Sequence, residues 1–534
     1  MSMAQPIRQL ARGFFLALLM IGAAQAQRAT DPRGAAAAQQ IARCDAAAAH
    51  LAKEHVRDMH VAFRQALPFA QDILASHQVK ASFTDGGRQA RVELHLRHVR
   101  DLEIPEGSPS THDIPGVDGA AILQDRRSRH PALWQVDEAT VAAADRAYDI
   151  RYRDPADPNS RPWLEDSPTA AALTQYEVVR VYTDRYSGFA GLVLEAKDRR
   201  HPHRIYAIAG THTFDHPDLR TWASGLTMGR AQAISTAALS MIRDAAAYAT
   251  AGPAGGEVFV TGQSQGGLSA QGVGYVLQAY LDAVQKPHHL VHIVSWGAIG
   301  AKDSLIRMIA HWREGKGRGF AAELERHWAA SDPNYPAAAE VWNAVATRWA
   351  RVAPGREAAH LDDTATRMRS IGYFFEVDLF ARAGTFLGTT FAFPTALILP
   401  DECETTVAES MVGFGSGGFG VRLESHFLKG YRRAVARGAI AVARPAQAAK
   451  WEWMTNLLPT FESVGEVWLE MIYLNRDATL DPNWAVCTAN AEWFTAENRS
   501  CRSAGWDGCG PSSDPPRWCL VREPPPGVSL PAIR

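Results

Sequence analysis

From Tyr176 onward, short apolar runs alternate with longer amphipathic ones, the rhythm of strands and helices in turn. Val178 to Tyr182, Ala190 to Leu194 and Tyr206 to Ala209 predict three strands separated by turns. Met228 to Tyr248 carries a helical period. Glu257-Val258-Phe259-Val260-Thr261 is a short β-rich run. Leu268, Val273, Val276, Leu277, Tyr280, Leu281 and Val284 then recur mostly at three- and four-residue steps, which predicts a long helix. His292 to Trp296 is a further strand. Such alternation implies a largely parallel, doubly wound sheet, whose ligands sit at the carboxyl ends of the strands.

The flanks read differently. Residues 27 to about 75 are Ala-rich and helix-favouring, with Ile41, Leu51, Val56, Met59 and Phe63 as buried positions. Val79 to Leu102 alternates around Asp85-Gly86-Gly87, a hairpin pattern. Polar, Pro-rich stretches (103–118 and 154–168) frame a helical segment around Ala139 to Tyr148. Residues 27–168 are therefore expected to form an N-terminal α+β appendage, and 169–440 the main α/β domain. Within the latter, 304–370 is mostly helical in pattern and carries Trp312, Trp328, Trp342 and Trp349. This insertion is either a lid over the active face or a set of ordinary helices with aromatic core contacts. Ala383 to Pro400 lacks any charge, but Gly384, Gly388 and Pro394 favour a buried strand and loop over a membrane helix. Such a segment would wall an apolar acyl pocket. Residues 441–534 form a Trp- and Cys-rich C-terminal module.

Composition narrows the partners. The 534 residues carry a formal net charge of −2, which gives no reason to expect nucleic acid. Arg8 and Arg12, an apolar stretch from Gly13 to Ala23 and Ala24-Gln25-Ala26 make residues 1–26 a signal peptide, with export to the periplasm or medium. The six cysteines are Cys44, Cys403, Cys487, Cys501, Cys509 and Cys519, which allow about 15 connectivities. The simplest pairing joins Cys44 to Cys403 and the last four among themselves. None forms C-x-x-C, so a zinc ribbon fits poorly, and no metal or other cofactor is expected.

The chemistry centres on Gly262-Gln263-Ser264-Gln265-Gly266, between the β-rich run and the long helix. G-x-S-x-G in that context is a nucleophile elbow: the glycines permit a sharp turn that leaves Ser264 strained and its Oγ exposed. The N–H of Gln265, at the helix start, is offered to an oxyanion. In such sheets the order is Ser, then Asp or Glu, then His. His426 follows a glycine-rich loop and fits the base. His288, His289 and His292 lie too close behind the elbow helix, and His311, His327 and His360 fall in the insertion. Asp378, ending the run Ile371 to Val377, fits the acid, with Glu376, Asp401 and Asp303 as rivals. Gly413 to Gly418 formally fits G-x-G-x-x-G, but without a βαβ unit it reads as a loop before His426. His95 with His98, and His212 with Asp215 and His216, read as solvated side chains more readily than as metal ligands. Arg199 to Arg204 reads as a basic turn, with attraction to anionic lipid headgroups as the alternative.

Residues 176 to 435 resemble the class 3 lipases, the fungal-lipase-like branch of the α/β-hydrolases. Ala207-Ile208-Ala209-Gly210-Thr211 followed by Asp215 is similar to that family's strand and oxyanion loop. Gln263-Ser264-Gln265-Gly266-Gly267 is similar to its His-Ser-Leu-Gly-Gly, and Ser295-Trp296-Gly297-Ala298 to the end of its next strand. His426 followed by Tyr431 matches its His followed by Tyr. Ala209, Gln263 and Ile299 depart from the usual Arg, His and Pro. The resemblance implies Ser264, Asp378 and His426 as a triad, with Thr211 and Gln265 forming the oxyanion hole.

The expected protein is thus an α/β-hydrolase with a helical lid, an N-terminal appendage and a disulfide-rich tail. Its expected activity is hydrolysis of lipid carboxylic esters, as a lipase or phospholipase A, with transient contact to a lipid interface. A soluble-substrate carboxylesterase or thioesterase is the first alternative, and a non-catalytic binding protein on the same scaffold the second.

Overall fold

The computed structural model describes residues 33–50, 82–85, 88–91, 110–129, 131–150, 170–184, 187–211, 221, 224–225, 227–251, 256–286, 291–313, 334–378, 380–399, 403 and 425–448. Residues 1–26, where a signal peptide is expected, the glycine run 413–418, Asp401, Trp328, the His95/His98 and His212/Asp215/His216 groups and the four C-terminal cysteines lie outside them. The chain divides into two compact units. The smaller takes its residues from 1–57, 374–378 and 391–446, the larger from 58–373, 379–390 and 447–534.

In the larger unit the hairpin around Asp85-Gly86-Gly87 is present as β1 (Ser82–Asp85) antiparallel to β2 (Arg88–Arg91). A short strand β3 (Thr111–His112) follows. The sheet is built from β4 (Tyr176–Thr183), β5 (Ala190–Ala196), β6 (His203–Ile208), β7 (Glu257–Gln263), β8 (Val291–Trp296) and β9 (Met368–Phe375). Their order is β9-β8-β7-β6-β5-β4. Neighbours from β6 to β9 are parallel, while β5 is antiparallel to both β4 and β6. This mixed, mostly parallel sheet with its helices is an α/β fold. β5 is buried along its whole length and β8 likewise, which explains their nearly continuous apolar sequences.

Two helices frame the elbow strand: Thr236–Ala249 and Gln265–Ala283. The periodicity of Met228 to Tyr248 predicts one helix, whereas the chain makes two, Arg230–Ala233 and Thr236–Ala249. Ser235 causes the break. It is extended at φ −62°, ψ 154°, and its hydroxyl accepts the Ala238 N–H at 3.2 Å, capping the second helix. Helix Pro131–Asp149 packs on β6 and β7. There Trp296 Nε1 donates to Thr140 Oγ1 at 3.2 Å, and Tyr373 Oη to Asp137 Oδ2 at 3.0 Å.

Helices Lys302–Arg313, Tyr335–Trp349 and Glu357–Ala365 occupy the segment expected to be helical. Its far boundary is earlier than 370, because β9 already begins at Met368. Trp349 is fully buried and Trp312 and Trp342 nearly so, all within the main apolar cluster. Helix Tyr335–Trp349 packs on both helices that frame the elbow strand. Each such side chain contributes about 1.5–3 kcal/mol by burial, so these tryptophans act as core contacts.

Within the charge-free segment, β10 (Phe386–Leu387) pairs in parallel with β3. β11 (Thr389–Phe393) and a turn of 3-10 helix, Thr395–Leu397, follow, nearly all buried. Among the described residues no helix is long and apolar enough to cross a membrane.

The smaller unit pairs β11 with β12 (Arg444–Pro445) and holds helix Leu428–Ala436. Residues 33–50 are helical, and Cys44 in that helix is disulfide-bonded to Cys403. Cys44, Ala48, Ala396 and Leu399 form an apolar cluster around the bridge.

Candidate active site

β7 ends at Gln263 and the next helix begins at Gln265, so Ser264 alone makes the turn. Its backbone sits at φ 57°, ψ −124°, a conformation that costs a non-glycine residue about 1–3 kcal/mol. Two hydrogen bonds hold it there: Ser264 N–H donates to Trp296 O at 3.0 Å, and Leu268 N–H to Ser264 O at 3.1 Å. The flanking glycines are required by close approach. A Cβ on Gly262 would lie 2.2 Å from Gly266 O, and one on Gly266 would lie 2.4 Å from Ile208 O. The turn therefore presents a half-buried serine at the carboxyl end of a central parallel strand, ahead of a helix N-terminus.

Thr211 follows the end of β6, and its hydroxyl donates to Gln265 Oε1. Gln265 is buried, and its Nε2 has no hydrogen-bond partner among the described residues. The Thr211 side-chain proton is thus directed at Gln265. Tyr148 adds a contact that sequence reading missed. Its Oη donates to Gln263 Oε1 at 2.8 Å, and a Cβ on Gly210 would lie 2.1 Å from Tyr148 Oη. Tyr148 therefore braces the residue before Ser264 and abuts the glycine before Thr211. It lies 115 residues upstream of Gln263; the one available signal was a glutamine at a position where the resembled family carries histidine.

The smaller unit brings together His426, Asp378 and Tyr431. His426 Nδ1 lies 3.1 and 3.2 Å from the two carboxylate oxygens of Asp378, which is fully buried. With Nδ1–H donating to the carboxylate, the imidazole carries its lone pair on Nε2, the tautomer a general base needs. Tyr431 Oη donates to Asp378 Oδ2 at 2.7 Å. Burial, with Asp378 beside it, holds the Tyr431 phenol well above its usual pKa, so it remains a donor. Local sequence explains the grouping. Asp378 follows β9 by three residues, and His426 lies two residues before the helix whose first turns carry Tyr431.

The rival carboxylates have other surroundings. Asp303 accepts from Thr385 Oγ1 at 3.2 Å. Glu376 is exposed at the surface, and the partial desolvation it meets raises its pKa. His292 stacks on Phe259 with ring centroids 4.6 Å apart, and His311 Nδ1 lies 2.6 Å from Arg230 Nη1. In the basic turn, Arg200 pairs with Asp198 at 2.9 Å and Arg204 with Glu195 at 2.7 Å. Among the described residues no group of three His, Cys, Asp or Glu side chains is arranged to hold a metal.

No protein-family model matches the chain, and no curated protein matches it. Solved structures that are similar at a low level include two lipases. One is a triacylglycerol lipase whose catalytic centre is described as a serine protease triad, at 12% identity and TM-score 0.26, over 49% of this chain and 81% of that one. The other is the Rhizomucor miehei lipase in its propeptide complex, at 12% identity and TM-score 0.25, over 59% of this chain and 83% of that one. Likeness at this level assigns neither fold nor function.

Proposed function

We propose that the chain is a serine ester hydrolase of lipase type. The observation that carries this reading is Ser264, held at φ 57°, ψ −124° as the single residue between β7 and the following helix. A protein has little reason to keep that strain at a serine unless the hydroxyl is used. The His426–Asp378–Tyr431 group supports it by supplying a base in the required tautomer.

In the proposed reaction, His426 Nε2 takes the Ser264 proton as Oγ attacks the ester carbonyl carbon. Asp378 stabilises the resulting imidazolium through Nδ1–H, and Tyr431 holds the carboxylate in place. The N–H groups of Thr211 and Gln265 receive the oxyanion. Collapse expels the alcohol with the proton from His426. Water, activated by the same histidine, then releases the acid from the acyl-serine.

Lipid esters, including those cut by phospholipase A-type enzymes, are the proposed substrates on the sequence resemblance to class 3 lipases. The Cys44–Cys403 bridge supports export to an oxidising compartment. A soluble-substrate esterase is the second reading. It is favoured by the buried Trp312, Trp342 and Trp349, which make their helices scaffold instead of a separable lid. Hydrolysis of p-nitrophenyl esters from short to long acyl chains, above and below micelle formation, tests the pair. A rate that rises with chain length and jumps at the interface supports the lipase. A short-chain preference without a jump moves the assignment to the soluble esterase, and hydrolysis that survives Ser264→Ala sinks both.

A further inference from the structure

Well away in sequence from the elbow, the turn between helices Tyr335–Trp349 and Glu357–Ala365 lines an open pocket of about 450 Å³. Its polar lining consists of Arg348, Arg351, Arg356, His360 and Asp363. The charges do not cancel. Arg348 pairs with Asp282 at 3.2 Å, and Arg367 pairs with both Asp282 and Asp363. Arg351 and Arg356 are exposed and form no ion pair among the described residues. Two guanidinium groups therefore face the pocket with their charge uncompensated.

Two further polar atoms are unsatisfied. Arg348 Nε and His360 Nε2 are buried, and neither has a hydrogen-bond partner among the described residues. A buried polar atom without a partner is unfavourable, and a ligand that supplies the missing hydrogen bond relieves it. Burial, with Arg348 beside it, lowers the His360 pKa and keeps the ring neutral. A neutral ring can present N–H at Nε2.

We propose that this pocket binds the phosphate group of a phosphorylated ligand. A carboxylate has two coplanar oxygens and is satisfied by one guanidinium fork. Donors arriving from Arg348, Arg351, Arg356 and His360 instead suit a tetrahedral dianion with oxygens in several directions. The volume exceeds what phosphate fills, leaving room for the organic group that bears it. The same chemistry is offered by a soluble phosphomonoester and by an anionic lipid headgroup.

The test uses the full chain and its R351Q/R356Q variant. Titration calorimetry with inorganic phosphate and glycerol 3-phosphate probes the soluble source. Flotation with phosphatidylcholine vesicles, with and without phosphatidic acid, probes the lipid source. Saturable binding of the soluble probes, weakened at least about tenfold in the variant and reduced by salt, supports a phosphomonoester site. Binding confined to vesicles containing phosphatidic acid, lost in the variant, supports a headgroup site. Absence of binding to every probe overturns the proposal, as does equal binding by the variant. Both arginines are exposed, so thermal unfolding of the variant should match the parent; each single substitution provides the same reading if the pair does not fold.

Discussion

Replacing Tyr431 by Phe removes one hydroxyl from the His426–Asp378–Tyr431 group and keeps the ring. Tyr431 is fully buried, with its ring 4.9 Å from that of Phe375 and 6.3 Å from that of Phe393, and phenylalanine keeps both contacts. What disappears is the 2.7 Å donation to Asp378 Oδ2, together with the longer Phe375 N–H contact to the hydroxyl at 3.4 Å. A hydrogen bond to a charged partner contributes about 1.5–3 kcal/mol, and Asp378 is fully buried, so water cannot replace the lost donor. Stability should therefore fall by about 2 kcal/mol in urea unfolding followed by tryptophan fluorescence. The carboxylate would also lose the group that fixes its angle toward His426 Nδ1. If about half of that energy is felt in the transition state, kcat/KM falls about fivefold to tenfold. Initial rates on a short p-nitrophenyl ester measure it. A variant within about 0.5 kcal/mol of the parent and within about twofold in kcat/KM would refute the role given to this hydroxyl.

Gly266→Ala places a methyl 2.4 Å from the Ile208 carbonyl oxygen, and a backbone oxygen cannot rotate aside. The elbow must shift against β6, so kcat should drop at least about 100-fold with circular dichroism unchanged; near-parental kinetics would contradict this. His203 is buried between Tyr176 Oη at 2.9 Å and His201 O at 2.8 Å, and desolvation lowers its pKa. Above about pH 6.5 it is neutral folded or unfolded and stability is full. As pH falls below that, the unfolded chain protonates first, and stability declines until the lower folded-state value is passed. His203→Gln should remove this part of the slope in unfolding measured from pH 8 to 5, and identical slopes would count against it. Cys44→Ser with Cys403→Ser opens a bridge spanning 359 residues and should cost about 2–5 kcal/mol, read as a lowered unfolding midpoint matched by the reduced parent.

The elbow was legible in the sequence because every cue is local: a β-rich run, two close-packed glycines and a helical period within one stretch. The pairing of Asp378 with His426 was legible through chain order and through their positions after an apolar run and a glycine-rich loop. Cys44 with Cys403 followed from setting the C-terminal four apart. Other contacts across long separations were not legible. Tyr148 meets Gln263, and Thr140 meets Trp296, through packing of a helix that the sequence set among an N-terminal appendage. The break at Ser235 was hidden because an N-cap serine does not interrupt apolar periodicity. Nor does any sequence signal separate Tyr373 from Phe374, although β9 passes from the larger unit to the smaller there. The arginine pocket is equally silent, since its members read as ordinary solvated helix-end charges.

The central claim is that Ser264 is a nucleophile activated by His426. The most direct measurement is labelling of the intact chain with a fluorophosphonate, mapped by mass spectrometry, beside Ser264→Ala and His426→Ala. The account expects one adduct on Ser264, none in Ser264→Ala, much slower labelling in His426→Ala and loss of ester hydrolysis in both. An unlabelled parent, or a folded Ser264→Ala that still hydrolyses esters at the parental rate, would contradict it.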